Sequence, residues 1–244
     1  QDSALSQAVG RAVAAGIPVV LASSREKVDS ASATLWTEVL PLQTLRDAGA
    51  QHGDAGVEPD DDFVVRRMPP SAGRFAATLA QHLGVRPAPA PSADADRLVA
   101  YRGPRGSFDT RSYYQALEPG LLPAGYFRGK VVLVGRSALT ASELQHSQAD
   151  LFNAPFAALG GERLFPGVEL QATLLDNHVT GAALRPVPEG WSLALVLLAL
   201  AVLVPASVRW HPGTVAGLAA GLSGAVLLLS WWLFAQARLW LPPL

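Results

Sequence analysis

Two long stretches near the C-terminus carry no charged side chain, and they restrict this chain more than any other feature. Trp191–Val208 is 18 residues and Gly213–Ala235 is 23 residues, and neither contains Asp, Glu, Lys or Arg. At 1.5 Å rise per residue they make helices of roughly 27 and 34 Å, close to the ~30 Å hydrocarbon thickness of a bilayer. A buried soluble helix of that length without one charge is uncommon, so the pattern predicts two membrane spans. Arg209-Trp210-His211-Pro212 separates them, a turn too short to hold a domain. The spans therefore form an antiparallel hairpin. Trp191, Trp210, Trp231, Trp232 and Trp240 lie at or near its ends, where indole favours the interface. Gly213, Gly217 and Gly221 recur every four residues on one helix face. Small residues at that spacing let helices approach closely in lipid, so these are the expected helix-packing positions against a neighbouring helix.

The charges sit elsewhere. Every Asp and Glu lies at or before Glu189, and only Arg209 and Arg238 lie beyond it. Residues 1–190 hold seventeen cations against twenty carboxylates, a net charge of −3. No run of Lys or Arg occurs, which argues against nucleic acid as a partner, because phosphate binding needs a concentrated basic surface. Residues 1–188 are enough for one domain with its own core, and 189–244 form the membrane part, with the start of a possible third helix. The chain has no cysteine, which suits an exported domain and equally many cytosolic ones. It opens on Gln1-Asp2-Ser3 without a signal peptide or an initiating Met. Either the N-terminus was processed or the start is missing.

The pattern of 1–188 predicts an α/β fold, a layered mixed sheet with helices on both faces. Ser3–Ala15 has helical spacing and Ile17–Leu21 reads as a buried strand. Pro41, Leu42 and Leu45 suit a short helix, Gly53 to Asp62 an acidic turn, and Phe63–Arg67 a strand. Ser71–Gly84 reads as a helix with Phe75, Leu79 and Leu83 on one face, ended by Gly84. Arg86–Ser92 alternates proline and alanine, an exposed connector. Arg97–Tyr101 and Lys130–Gly135 read as further strands. Val131-Val-Leu-Val134 is continuously apolar, which predicts a central parallel strand covered on both faces. Gly167–Val179 reads as a helix burying Val168, Ala172, Leu175 and Val179, with Gly181 as its stop.

The catalytic vocabulary is thin. There is no phosphate-binding loop, no G-x-G-x-x-G after a strand, no G-x-S-x-G elbow and no H-E-x-x-H. His52, His82, His146, His178 and His211 stand singly, so no metal, no cofactor and no catalytic residue is expected. Asp60-Asp61-Asp62 suits a solvated turn better than a cation site, with Arg66 and Arg67 pairing to those aspartates rather than to a foreign anion. In open α/β sheets ligands lie beyond the carboxyl ends of the strands. That rule makes Gly135, Arg136, Ser137 and Asp150 the candidate rim for a ligand or partner. The long polar loop that starts at Arg136 reads equally as a binding rim, a protein-contact surface or a lid.

Five segments occur in a telling order. They are Tyr101-Arg-Gly-Pro104, Phe108 to Tyr113, Phe127-Arg-Gly-Lys-Val-Val-Leu-Val-Gly135, Asp150-Leu-Phe-Asn-Ala-Pro155 and Phe165-Pro-Gly-Val-Glu169. With Asp2-Ser-Ala-Leu5, Gly56-Val-Glu-Pro-Asp60 and Phe63-Val-Val-Arg-Arg-Met-Pro69 upstream, the chain resembles the second class of CHASE domain over most of residues 1–188. The chain departs from that pattern at Gln171-Ala-Thr173, where a His-Ala-Asn type sequence is expected.

The resemblance implies a bacterial extracytoplasmic sensor domain of the kind associated with cyclases and histidine kinases. Its soluble part would be periplasmic and its hairpin would lie in the cytoplasmic membrane. Partners would be membrane lipids, other membrane helices or subunits of a complex, and an unknown extracytoplasmic ligand. The other reading is a non-catalytic accessory subunit of a larger membrane assembly, photosynthetic or respiratory for example, which uses the same fold as scaffold.

Overall fold

A computed structural model describes residues 2–29, 34–85, 97–137, 150–156 and 163–241. The chain forms two compact units: Gln1–Ala95 with Val99–Gly181, and Asp96–Leu98 with Ala182–Leu244.

The first unit opens with helix α1 (Asp2–Ala14), strands β1 (Val20–Asp29) and β2 (Thr34–Val39), the short helix α2 (Gln43–Asp47) and strand β3 (Gln51–Asp54). The strands make a mixed sheet in the order β2-β1-β3, with β1 parallel to β3 and antiparallel to β2. Period-2 alternation assigns the two faces. Val19 and Leu21 pack with Val9 and Val13 of α1 and with Leu45 and Ala50. Leu21 is paired with His52 and Ala22 with Gly53, so Gly53 faces the other way. There it meets helix α3 (Phe75–His82): a Cβ at Gly53 would stand 2.7 Å from the Phe75 Cα. Gln51, on the same face, is hydrogen-bonded to His82 at 3.0 Å. The expected α/β class, a mixed sheet with helices on both faces, is what this unit adopts.

The unit continues through the short helix α4 (Tyr113–Leu117), the antiparallel pair β4 (Leu151–Asn153) and β5 (Leu164–Pro166), and helix α5 (Gly167–Thr180). Gly181 ends α5 in the left-handed region at φ 61, which a glycine adopts without a Cβ clash. Helices α3 and α5 pack together. The buried side chains of α3 are Ala76, Ala77 and Ala80, whereas Leu83 is exposed. Phe75 and Leu79 are half-buried, and the small alanines beside them let the helix backbone come close to its neighbours. In α5 the buried residues are Glu169, Leu170, Thr173, Leu174, Leu175 and Asn177, while Val179 is exposed. Of the expected stripe only Leu175 is buried.

Three expected strands do not form. Val131–Val134 has no strand partner among the described residues, and Val131, Val132 and Val134 are exposed. An apolar run selects an extended, water-avoiding backbone but does not supply a partner in register, and the sheet is built from β1, β2 and β3 instead. Phe63–Arg67 begins at a turn with Phe63 at φ 60. Its backbone is satisfied by single contacts, Val99 N–H to Arg66 O at 2.7 Å and Asn153 N–H to Phe63 O at 2.9 Å. Arg97–Tyr101 contributes one bridge, Leu98 with Leu184. The connector Arg86–Ser92 lies outside the described residues.

The second unit holds strand β6 (Arg185–Pro186), helices α6 (Glu189–Arg209) and α7 (Pro212–Trp232), a π-helical turn Leu233–Ala237 and strand β7 (Leu239–Trp240). At 21 residues each, α6 and α7 are roughly 32 Å long. Both are long and apolar enough to cross a membrane, and almost none of their apolar surface is buried. A core helix of a soluble protein would be covered, whereas outward-facing Leu193, Leu197, Leu227 and Leu228 suit lipid. The helices pack as a hairpin around Trp210 and His211, as the sequence predicts. At the hairpin base β6 and β7 pair in parallel, with Arg185 N–H to Arg238 O at 3.0 Å and Val187 N–H to Trp240 O at 2.9 Å.

Candidate functional site

The first unit is organised around Tyr101. Burial pushes its phenol above the ordinary value, and the hydroxyl donates to Val65 O at 2.6 Å. Its ring meets Phe165 edge-on at 5.4 Å and Phe156 at 6.2 Å. The acidic turn docks on the same hub. Arg66 donates to Asp60 at 2.8 Å and to both carboxylate oxygens of Asp62 at 2.8 and 2.7 Å. Those bonds hold the Asp62 carboxyl down at about 2 and push the Arg66 guanidinium up. Arg66 therefore pairs with the aspartates, as expected, and the turn is closed by its own counterion. Asn153 donates to Asp62 O at 2.6 Å, tying the turn to β4. Segments spread over a hundred residues thus meet around one ring.

The polar groups that converge on the first half of α5 form the candidate site. On one side, the Glu169 carboxylate, 5 % exposed, accepts Gly106 N–H at 2.8 Å. The Gly167 N–H donates to Asp150 O at 2.7 Å. A Cβ at Gly135 would lie 2.7 Å from the Val168 Cβ, so only glycine permits that approach. Arg105 donates to Ser137 O at 2.6 Å. Gly135 and Asp150 are thus brought to the N-terminal turn of α5, Ser137 is tied to Arg105, and Arg136 is exposed between Gly135 and Ser137. The loop between Ser137 and Asp150 lies outside the described residues.

On the other side is the carboxyl end of the parallel pair β1–β3. Asp54, 7 % exposed, takes a salt bridge from Arg74 at 2.8 Å and the Gly56 N–H at 2.9 Å. Arg74 also donates to Gly56 O at 2.8 Å. Gln171 of α5 donates to Ala55 O at 2.8 Å. Ser23, the register partner of Asp54, is buried, and its hydroxyl has no hydrogen-bond partner among the described residues. The sequence departure at Gln171 and Thr173 now has a local meaning. Gln171 ties α5 to the loop after β3, and the Thr173 hydroxyl returns to Glu169 O at 2.9 Å.

Sequence reasoning missed Asp54, Arg74, Glu169 and Ser23. The rule about strand ends does point to Asp54, once β1 and β3 are known to be the parallel pair. The converging groups are backbone amides, one buried ion pair and side-chain amides, which suit hydrogen-bonded recognition. Among the described residues no three of His, Asp and Glu gather as a metal site.

Gly213, Gly217 and Gly221 have open space around them: a Cβ at any of the three would meet nothing within 4 Å. Within this hairpin α6 is not the neighbour of that face.

The model of the CHASE2 domain family matches residues 1–206. No curated protein and no solved structure matches the chain.

Proposed function

The chain belongs to the CHASE2 family of extracytoplasmic sensory domains, and from that premise we propose that it receives a signal outside the cytoplasm and relays it through its own membrane helices. The observation that carries this reading is the position of α5. Its first turns hold the polar contacts to Gly106, Ala55 and Asp150, and its end at Gly181 is eight residues from the start of α6 at Glu189. A ligand or partner that engages the rim Gly135, Arg136, Ser137 and Asp150 acts on the helix that leads into the hairpin. Such a shift needs different affinity for two states of α5. The domain works by binding and not by turnover.

In this reading the soluble unit is periplasmic, the hairpin lies in the bacterial cytoplasmic membrane and the His211 turn is cytoplasmic. A thiol introduced at position 105 should react with an impermeant reagent in intact cells, while one at position 211 should not; the reverse pattern would remove the extracytoplasmic assignment. Relay is read separately, from spin labels at positions 198 and 228. Gln171→Ala should change the distance distribution between them, and an unchanged distribution would sink the relay.

The uncovered face of Gly213, Gly217 and Gly221 favours a second reading, an accessory subunit whose hairpin packs against helices of a larger membrane complex. Co-purification with such a complex, lost in Gly217→Leu, is its test.

A further inference from the structure

Residues 104–137 differ from the rest of the soluble part in both charge and surface. They hold five cations and two carboxylates, a net +3, whereas the remainder of residues 1–190 holds twelve cations and eighteen carboxylates, a net −6. The same segment exposes Tyr113, Tyr114, Leu117, Leu121 and Phe127, with Tyr114 60 % exposed, and then Val131, Val132 and Val134. Cations and rings are interleaved. The Lys130 Nζ lies 3.9 Å from the Tyr126 ring centre, and the Arg111 guanidinium lies over the same ring at 5.5 Å. Tyr126 stacks edge-on with Phe127 at 5.1 Å. Asp109 is shared by Arg111 at 2.9 Å, Lys130 at 3.5 Å and the Tyr126 hydroxyl, so two cations surround one carboxylate. Beside them lies an open depression of about 390 Å³ lined in part by Leu117, Pro119, Leu122, Phe127 and Arg128. It is open to solvent.

We propose that this aromatic and cationic segment docks on an anionic bilayer surface, that of the membrane entered by the hairpin. Tyrosine and phenylalanine beside aliphatic side chains suit the headgroup boundary, where one end of the ring is wet and the other apolar. Lys and Arg are drawn to the negative potential of anionic lipids. An acidic protein would satisfy the charge but would have to be captured from solution. The bilayer is already at hand: seven residues separate Gly181 from Glu189, a span of at most about 27 Å when fully extended. Such a tether keeps the effective concentration of the surface high, so weak contacts suffice. The inference rests on membrane anchorage alone and stands or falls without signal relay.

The test uses the full chain in nanodiscs. Because the sequence has no cysteine, single spin labels at Tyr114→Cys and, as control, at Gln7→Cys are clean reporters. The discs hold phosphatidylcholine with about a third phosphatidylglycerol and a nickel-chelating headgroup that relaxes nearby labels. Relaxation at position 114 should exceed that at position 7 by about threefold or more. It should fall to the control level in phosphatidylcholine alone, and in about 1 M salt, where the screening length is about 3 Å. Arg111→Gln with Lys130→Gln should do the same, and Arg128→Gln should lower it in part, at unchanged melting temperature. Equal relaxation at positions 114 and 7 in every disc would overturn the proposal. So would shielding of position 114 that appears only when poly-glutamate is added, which reassigns the surface to an acidic protein.

Discussion

One side-chain amide, that of Asn177, holds both backbone groups of Ala100: its Oδ1 accepts the N–H and its Nδ2 donates to the C=O, each at 2.8 Å. The helix thus supplies the pairing that a neighbouring strand would have given to this segment. Asn177 is 2 % exposed, so both Ala100 groups lose their partner if the amide is removed. Asn177→Leu should cost about 2 kcal/mol, because two half-buried backbone groups are left unsatisfied. Denaturant unfolding of the full chain in detergent, followed by near-UV circular dichroism, reads this. A change under about 0.5 kcal/mol would show that water replaces the amide.

The Asp54–Arg74 pair makes a second prediction. Arg74→Met leaves a carboxylate that is 7 % exposed with only the exposed Arg25, at 3.8 Å, as a cation. The expected loss is about 3 kcal/mol. Arg74→Lys should recover most of it, since a single guanidinium nitrogen makes the contacts to both Asp54 and Gly56 O and an ammonium carries three donors. If Lys restores nothing, the charge and donors at that point do not carry the stability.

Gly135 and Val168 should be coupled. Gly135→Ala alone drives a methyl to 2.7 Å from the Val168 Cβ and should destabilise by about 1–3 kcal/mol. The double change with Val168→Ala should be less destabilising than the sum of the two single changes, by about 1 kcal/mol. Additive values would mean that the two residues do not touch.

The acidic turn predicts a pH dependence. The Asp62 carboxyl titrates at about 2 in the folded chain because of the Arg66 bonds, below its ordinary 3.8. A depressed carboxylate adds stability above the unfolded value, and that contribution is lost as the pH falls from about 4 towards 2. The stability difference between the native chain and Asp62→Asn should therefore shrink across that window and stay constant above it. A difference that instead grows on acidification would contradict the pairing.

What could be read in the sequence followed from covalent pattern. The hairpin, its turn at Trp210 and His211, helix α1, the Gly181 stop and the pairing of Arg66 with the aspartates all depend on residues close in the chain. Long-range pairing was not legible. Val131–Val134 has the composition of a central strand, but no residue near it encodes a partner. The burial of α5 was misjudged for a related reason. Thr173 and Asn177 look like solvent-facing residues until one sees that their side chains are satisfied by Glu169 O, Thr173 O and the backbone of Ala100. At the candidate site, Gly135 and Asp150 meet at the start of α5, which the strand-end rule does not foresee, while Asp54 and Arg74, twenty residues apart in the chain, were not visible as a pair.

The clasp between Arg185–Pro186 and Leu239–Trp240 makes the hairpin a short circuit. By covalent path, a displacement at Arg185 must climb α6, round the His211 turn and descend α7 before it reaches Trp240. Through the two backbone hydrogen bonds it arrives at once, without entering the bilayer. The strand that precedes the hairpin and the strand that follows it are thus one hydrogen-bonded unit, and the hairpin begins and ends at the same clasp.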